Sequence, residues 1–312
     1  MTVNHVAFVF PGQGSQAVGM LADCAAEPVV QQTFAEASKV LGYDLWQLVS
    51  QGPAEELNKT QQTQPALLVA SVALYRLWLQ RGGAVPAVMA GHSLGEYSAL
   101  VCAGVLDFAD AVKLVEQRGI FMQDAVPLGT GGMAAILGLD DDKVRELCAA
   151  SAQGEVVAAV NFNSPGQVVI AGHATAVARA SEACKAAGAK RALPLPVSAP
   201  SHCELMNPAA ERLAALLAGL TLKAPAVAVV NNVDVASPNE PGQILDALVR
   251  QLYLPVRWTE IIETLSAQGI RQFVEVGPGK VLGGLIKRIN KEAECLAVND
   301  SASVDASLQI LS

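Results

Sequence analysis

Aromatic side chains are scarce in this chain of 312 residues: Trp, Tyr and Phe together make up 4% of it, too few for the stacking platforms that carry single-stranded nucleic acids. Charge is sparse too, at 16%, and it leans negative, with 21 Lys plus Arg against 29 Asp plus Glu. A net charge of −8 repels phosphate backbones and anionic lipid, so neither nucleic acid nor a membrane surface is expected as a partner. The six cysteines, at 24, 102, 148, 184, 203 and 295, contain no C-x-x-C and no regular spacing. That excludes a zinc ribbon or a disulfide framework and reads as buried thiols in a reducing compartment. No stretch reaches the roughly 18 uninterrupted apolar residues that a membrane helix needs. Pro11 cuts the first apolar run, which has neither a basic n-region nor a cleavage site of the kind a signal peptide carries. A soluble, cytoplasmic, monomeric protein without metal or other cofactor is expected.

What is abundant is aliphatic: hydrophobic residues are 52% of the chain, which excludes disorder and supplies a large core. The length suits two domains, or one large α/β unit carrying an insertion. Short apolar runs closed by Gly or Pro, at residues 5–10, 87–90, 226–232, 272–277 and 295–298, alternate with helical patterns such as 65–82 and 279–293. This alternation predicts a mainly parallel sheet covered on both faces, an α/β-hydrolase-like core. Residues 130–198 instead read β-α-β-β-α-β, with Asn163-Ser164-Pro165-Gly166 as the turn of the central hairpin. That order predicts a ferredoxin-like small subdomain at 130–198 inserted into a large one built from 1–129 and 199–312.

The strongest local signal is Gly91-His92-Ser93-Leu94-Gly95, a G-x-S-x-G between an apolar run and a helical stretch. A Ser on a tight strand-to-helix turn projects its hydroxyl from a strained backbone, and the flanking glycines avoid clashes across the turn. The same string also arises by chance in a Gly-rich chain; its position between strand and helix favours the nucleophile. A Ser hydroxyl needs a base, and four histidines are available. His5 lies in the first strand, His92 beside the nucleophile with its side chain expected to point away, and His173 at a hairpin-to-helix junction; each reads as structural. His202 is preferred because Pro200-Ser201-His202 follows the last strand of the insertion and is expected to open a helix over 202–219 where the chain re-enters the large subdomain.

Two glycine-rich turns mimic nucleotide motifs. The run from Phe10 to Ala17 contains G-x-G-x-x-A, yet no second strand ending in an acidic residue follows. It offers instead a backbone N–H to an oxyanion. Gly277-Pro278-Gly279-Lys280 lacks the glycine spacing and following hydroxyl of a phosphate loop. Arg118 falls on the apolar stripe of a helix over 107–123, in line with Ala111, Val115 and Met122. A guanidinium there snorkels to solvent or meets a carboxylate; Glu116 and Asp124 are the internal candidates, although neither shares its face, and a ligand carboxylate would complete a bidentate pair.

Taken together these segments resemble the malonyl-CoA:acyl carrier protein transacylase family, the malonyl loaders of dissociated fatty acid synthesis. The likeness runs the length of the chain, through Phe10-Pro-Gly-Gln-Gly-Ser-Gln16, Gln61-Gln-Thr-Gln-Pro-Ala-Leu67, Gly91 to Ser98, Gln117-Arg118-Gly119, Asn161-Phe-Asn-Ser-Pro-Gly166, Pro200-Ser-His202 and Glu275-Val-Gly-Pro-Gly-Lys280. The resemblance implies Ser93 as nucleophile, His202 as base oriented by the backbone carbonyl of Gln251, the N–H groups of Gln13 and Leu94 as oxyanion hole, and Arg118 as the partner of the malonyl carboxylate. Glu204, two residues past the base, is a rival orienter. The implied substrates are malonyl-CoA and phosphopantetheinylated acyl carrier protein. An acidic carrier is expected to dock on local basic residues in spite of the net charge, with Lys190, Arg191, Lys287, Arg288 and Lys291 as candidates, although a solvated charged face accounts for any one of them at least as well. Leu94 is similar to malonyl-selective relatives, whereas Ser201 departs from the Phe that malonyl-loading polyketide domains often carry. A serine hydrolase such as a thioesterase would share elbow and base without a use for a buried cation. A malonyl loader for a polyketide pathway would share every motif, and a non-catalytic carrier-binding protein would need no such trio.

Overall fold

The computed structural model describes residues 2–197 and 199–311. Met1, Ser198 and Ser312 lie outside the described residues, so the inner boundary expected at Ser198 falls on one of them. The first sheet contains β1 (Thr2–Phe10), β2 (Val85–Gly91), β7 (Ala228–Val230), β8 (Gln272–Val276) and β9 (Glu294–Val298) in the order β7-β2-β1-β8-β9. Every neighbouring pair is parallel. A parallel sheet needs cover on both faces, and its strands carry apolar side chains in both directions. Phe8, Phe10 and Val274 accordingly pack into one core while Ala7, Val9 and Phe273 pack into another on the opposite face.

The larger core is organised around the Thr60–Gln80 helix, which is buried on nearly every side. Much of the scarce aromatic content gathers there: Trp78 and Tyr75 meet the ring of Phe8 edge-on, with centroids 5.5 and 6.1 Å away. The Phe108–Asp124 helix, capped by the Asp107 carboxylate, crosses this helix at Gly119. A Cβ at that position would lie 2.6 Å from the Cα of Gln61, so the crossing requires glycine beside Arg118.

The second sheet contains β3 (Gly131–Leu137), β4 (Val157–Ser164), β5 (Gln167–His173) and β6 (Arg191–Pro194), in the order β4-β5-β3-β6 with every pair antiparallel. Helices Asp141–Ser151 and Ala174–Ala186 cover one face around Val144, Val168, Ile170 and Cys184. The other face packs Met133, Val160 and Val169 on Cys203 from the large body. Strand β4 runs through Ser164, so the hairpin turn is Pro165-Gly166 alone, with Gly166 at φ 71°, rather than four residues.

Two other expectations need correction. The late helix covers Val281–Ile289 rather than 279–293; the Glu275 carboxylate accepts the Leu282 and Gly283 N–H groups at 3.0 and 2.9 Å and fixes its start. His202 does not open a helix: it stands on left-handed backbone at φ 65°, followed by a short 3-10 turn, and the helix begins at Asn207. All six cysteines are free; four are buried, while Cys102 and Cys295 are partly exposed. Among the described residues no helix is long and apolar enough to cross a membrane.

Candidate active site

Strand β2 ends at Gly91, and the chain turns through His92, Ser93 and Leu94 into the Gly95–Cys102 helix. Ser93 takes φ 51°, the strained conformation expected of an exposed nucleophile. The glycines around it are steric necessities. A Cβ on Gly91 would lie 1.9 Å from the backbone of Gly95, one on Gly95 2.0 Å from the Phe10 carbonyl oxygen, and one on Gly12 2.5 Å from the His92 carbonyl oxygen. The first glycine-rich turn therefore packs against the nucleophile turn, and Gly277 packs on Pro11, where a Cβ would come within 2.6 Å. Neither loop has the geometry of a nucleotide cradle.

Ser93 Oγ lies 2.8 Å from Nε2 of His202. The Nδ1 of His202 donates to the Gln251 carbonyl oxygen at 2.6 Å, and the His202 N–H donates to the Leu252 carbonyl at 2.9 Å. Gln251 closes the Pro241–Arg250 helix, so the base occupies carbonyls left free at a helix C-terminus, where the peptide dipole also favours developing positive charge. Glu204 is exposed in the short 3-10 turn and does not orient the base. Burial, with the charge of Arg118 adding to it, pushes the His202 pKa down to about 3; the imidazole is neutral and able to accept the Ser93 proton throughout the neutral range.

Among the described residues the remaining histidines make no hydrogen bond to Ser93 Oγ. His173 accepts the Val156 N–H at 2.9 Å, and His5 is exposed on β1. His92 does not turn away from the site altogether: it lines the cavity, with Nε2 2.7 Å from the Asn163 side chain of β4 and its ring against Trp258.

The cavity at Ser93 has a volume of about 110 Å³ and is walled by Met133, Asn161, Leu195 and Val197 from the antiparallel unit. Gln13 and Leu94 both border it, and neither N–H donates to a protein group among the described residues. Leu94 precedes a helix N-terminus, which adds positive potential there. Arg118 also borders the cavity and is 1% exposed. Its Nη1 donates to Gln64 Oε1 at 2.8 Å and its Nη2 to Gln251 Oε1 at 3.1 Å. Its Nε has no partner among the described residues. Neither expected carboxylate reaches it, because Glu116 pairs with Lys113 and Asp124 with Arg212. The buried cation thus hydrogen-bonds two neutral amides and lies over the ring of Tyr97, 5.3 Å from its centroid, with no carboxylate bonded to it among the described residues.

Behind Ser93 lies a group of side chains for which the sequence suggested no role. Asn232 Oδ1 accepts the Ser93 N–H at 2.7 Å, and its Nδ2 donates to the Gly91 carbonyl at 2.6 Å. Gln251 Nε2 donates to the Ser93 carbonyl at 3.1 Å and to Glu96 Oε2 at 2.8 Å, and the same carboxylate oxygen accepts the Asn232 N–H at 2.9 Å. Burial pushes the Glu96 pKa up to about 7, with the Gln251 amide, the Asn232 N–H and Arg118 acting in the opposite direction. A Glu in the first turn of a helix is ordinary; the available signal was that every other residue from Gly95 to Leu100 is apolar or small, which predicted a buried turn. Among the described residues no cluster of three or more His, Cys, Asp or Glu is placed to hold a metal ion.

Comparison with known proteins agrees with this geometry. Residues 7–304 match the acyl transferase domain family. The malonyl CoA-acyl carrier protein transacylase of Escherichia coli is 67% identical over 309 residues, covering 99% of this chain and 100% of that one. A crystal structure of an acyl carrier protein S-malonyltransferase from Vibrio cholerae superposes with a TM-score of 0.95 at 66% identity, covering 97% of this chain and 99% of that one. A malonyl-transacylase solved in complex with its type II PKS acyl-carrier protein superposes with a TM-score of 0.97 at 62% identity, covering 98% and 99%.

Proposed function

The chain belongs to the acyl transferase domain family, and on that premise we propose that it carries a malonyl group from malonyl-CoA, through an ester on Ser93, to the phosphopantetheine thiol of acyl carrier protein in fatty acid biosynthesis. His202 Nε2 takes the Ser93 proton as Oγ attacks the thioester carbonyl. The N–H groups of Gln13 and Leu94 receive the oxyanion, a contribution of about 10²–10³ in rate per donor in comparable sites. The tetrahedral adduct collapses by breaking the C–S bond, and CoA leaves with the proton from His202. The carrier thiol then repeats the sequence in reverse, giving its proton to His202 and taking the malonyl group. Thioester exchange transfers no electrons, so the reaction needs no redox group.

Arg118 carries the assignment of the acyl group. A buried guanidinium bonded to no carboxylate is costly, and this one borders the cavity that contains Ser93. The malonyl carboxylate would occupy that position and, by cancelling the charge that depresses His202, make the base stronger when the correct acyl group is bound. A thioesterase would have no use for this cation. The relative solved with a type II PKS carrier supports a second reading, in which the same chemistry also supplies a polyketide pathway.

The division of labour follows an α/β-hydrolase-like large subdomain, 1–129 and 199–312, with a ferredoxin-like insertion at 130–198; the strand order β4-β5-β3-β6 supports the latter. We expect the protein to work as a cytoplasmic monomer without a cofactor.

Intact-mass measurement after mixing with malonyl-CoA, then with phosphopantetheinylated carrier protein, should show a malonyl adduct that appears and then leaves. Arg118→Ala should lower malonyl transfer by roughly 10²–10⁴, the equivalent of about 3–5 kcal/mol for breaking a buried charge pair, while acetyl transfer falls far less. An equal loss for both acyl groups would remove Arg118 from carboxylate recognition.

A further inference from the structure

Gln251 meets the catalytic apparatus through four bonds from one residue. Its backbone carbonyl accepts from His202 Nδ1, its side-chain oxygen accepts from Arg118, and its side-chain nitrogen donates to both the Ser93 carbonyl and Glu96. A primary amide can rotate by half a turn with little change in shape, and only its hydrogen-bond partners decide which end faces which way. The orientation matters here, because a turned amide would set its NH₂ against the donor-only guanidinium and its oxygen against two acceptors.

We propose that Glu96 is a positioning residue for acyl transfer, fixing the Gln251 amide with its oxygen toward Arg118 and its nitrogen toward the Ser93 carbonyl. The proposal rests on Arg118 as the partner of the malonyl carboxylate. Glu96 and Gln251 are 2% and 0% exposed, so water does not supply a substitute acceptor for the amide. The same Glu96 oxygen holds the Asn232 N–H, and the Asn232 side chain holds the Ser93 N–H and the Gly91 carbonyl. One carboxylate oxygen therefore holds the backbone of Asn232 and the side chain of Gln251, the two residues whose side-chain amides bond the N–H and the carbonyl of Ser93. Through Gln251 it also sets the direction in which the guanidinium fork opens. Burial keeps the His202 imidazole neutral, and the charged groups acting on Glu96 include Arg118 and Asp234. Glu96 thus reaches the base and the cation through Gln251 without touching the substrate.

The test measures Ser93 acylation rates with malonyl-CoA and with acetyl-CoA by rapid quench and intact mass. Glu96→Leu removes the acceptor and should cut malonyl acylation about 10- to 100-fold, lowering the malonyl-to-acetyl ratio at least tenfold. Glu96→Gln supplies an oxygen at the same place and should restore most of that ratio. Gln251→Met keeps the backbone carbonyl that orients His202 and should lower the ratio as Glu96→Leu does, with no further loss in the double variant. The Met variant also decides the matter if Glu96→Leu does not fold. An unchanged ratio in Gln251→Met, an equal loss for both acyl groups in Glu96→Leu, or no rescue by Glu96→Gln would each overturn the proposal. Arg118→Ala separates the two levels: if it shifts the ratio and the Glu96 and Gln251 variants do not, only the positioning role fails, and if it leaves the ratio unchanged, carboxylate recognition itself fails.

Discussion

The two sheets contribute to the same cavity in different ways. The parallel body supplies Ser93 and His202 on left-handed backbone, each held by bonds to other elements: Ser93 by Asn232 and Gln251, His202 by two successive carbonyls beyond the Pro241–Arg250 helix. The antiparallel unit supplies walls, with Met133, Leu195 and Val197 contributing surface and Asn163 a single bond to His92. It is joined to the body mainly along β4, where the Phe162 N–H donates to Val256, the Val256 N–H to Val160, and Thr259 to the Phe162 carbonyl. Strained backbone persists only where the surroundings over-determine it. Ser93 and His202 therefore sit where bonds from several elements converge, and the antiparallel unit, whose strands pair with one another, shapes the space around them.

The sharpest way to break this contrast is at the reacting pair. Ser93→Ala should abolish the malonyl adduct in intact-mass spectra while leaving the thermal transition close to that of the parent, since only a hydroxyl is removed. His202→Ala should slow acyl-enzyme formation by roughly 10²–10⁴, the contribution of a positioned base; near-normal single-turnover acylation would move that role elsewhere.

A smaller effect is expected at the basic residues of both regions that are proposed to meet the carrier protein. Lys190 and Arg191 lie at β6 of the antiparallel unit, and Lys287, Arg288 and Lys291 at the end of the Val281–Ile289 helix and just beyond it; all five are exposed. Arg288 also bridges the regions, donating to Gln167 at 2.6 Å. Reversing both clusters should slow transfer to the acidic carrier about tenfold at low salt, with the difference vanishing as salt rises, and leave acylation by malonyl-CoA unchanged. Equal effects on the two half-reactions would count against docking there.

The smallest effect belongs to the joint between the sheets. Asn163→Ala leaves His92 without its partner and should cost about 1–3 kcal/mol of stability in a denaturant titration, while acylation changes by less than about fivefold. A loss approaching that of His202→Ala would show that the walls do more than shape the cavity.

What could be read from the sequence depended on how local each feature was. The nucleophile turn was legible because its glycines and its strand-to-helix context lie within ten residues. The antiparallel unit was legible because its six elements are contiguous. Arg118 was legible from its place on an apolar stripe, although the carboxylates proposed for it point elsewhere. The turn at His202 was misread as helix, because its N–H is held by the carbonyl of residue 252 and its ring by that of residue 251, both distant in sequence. Glu96, Asn232 and the side chain of Gln251 went unread: their partners are 136 to 158 residues away in sequence, and no periodicity carries that information.

The strand order has a consequence for how the chain is made. β1 lies in the middle of its sheet, and its second neighbour, β8, begins at Gln272. At ribosomal speeds of about 5–20 residues per second, the intervening ~260 residues take roughly 13–52 s to synthesise. Throughout that interval one edge of an apolar strand stands unpaired, the condition that invites association between nascent chains. The inserted unit, whose strands pair within a single stretch of chain, closes its own sheet long before. The segment that walls the cavity is thus ready early, whereas the sheet that supports Ser93 waits for about the last eighth of the chain to arrive.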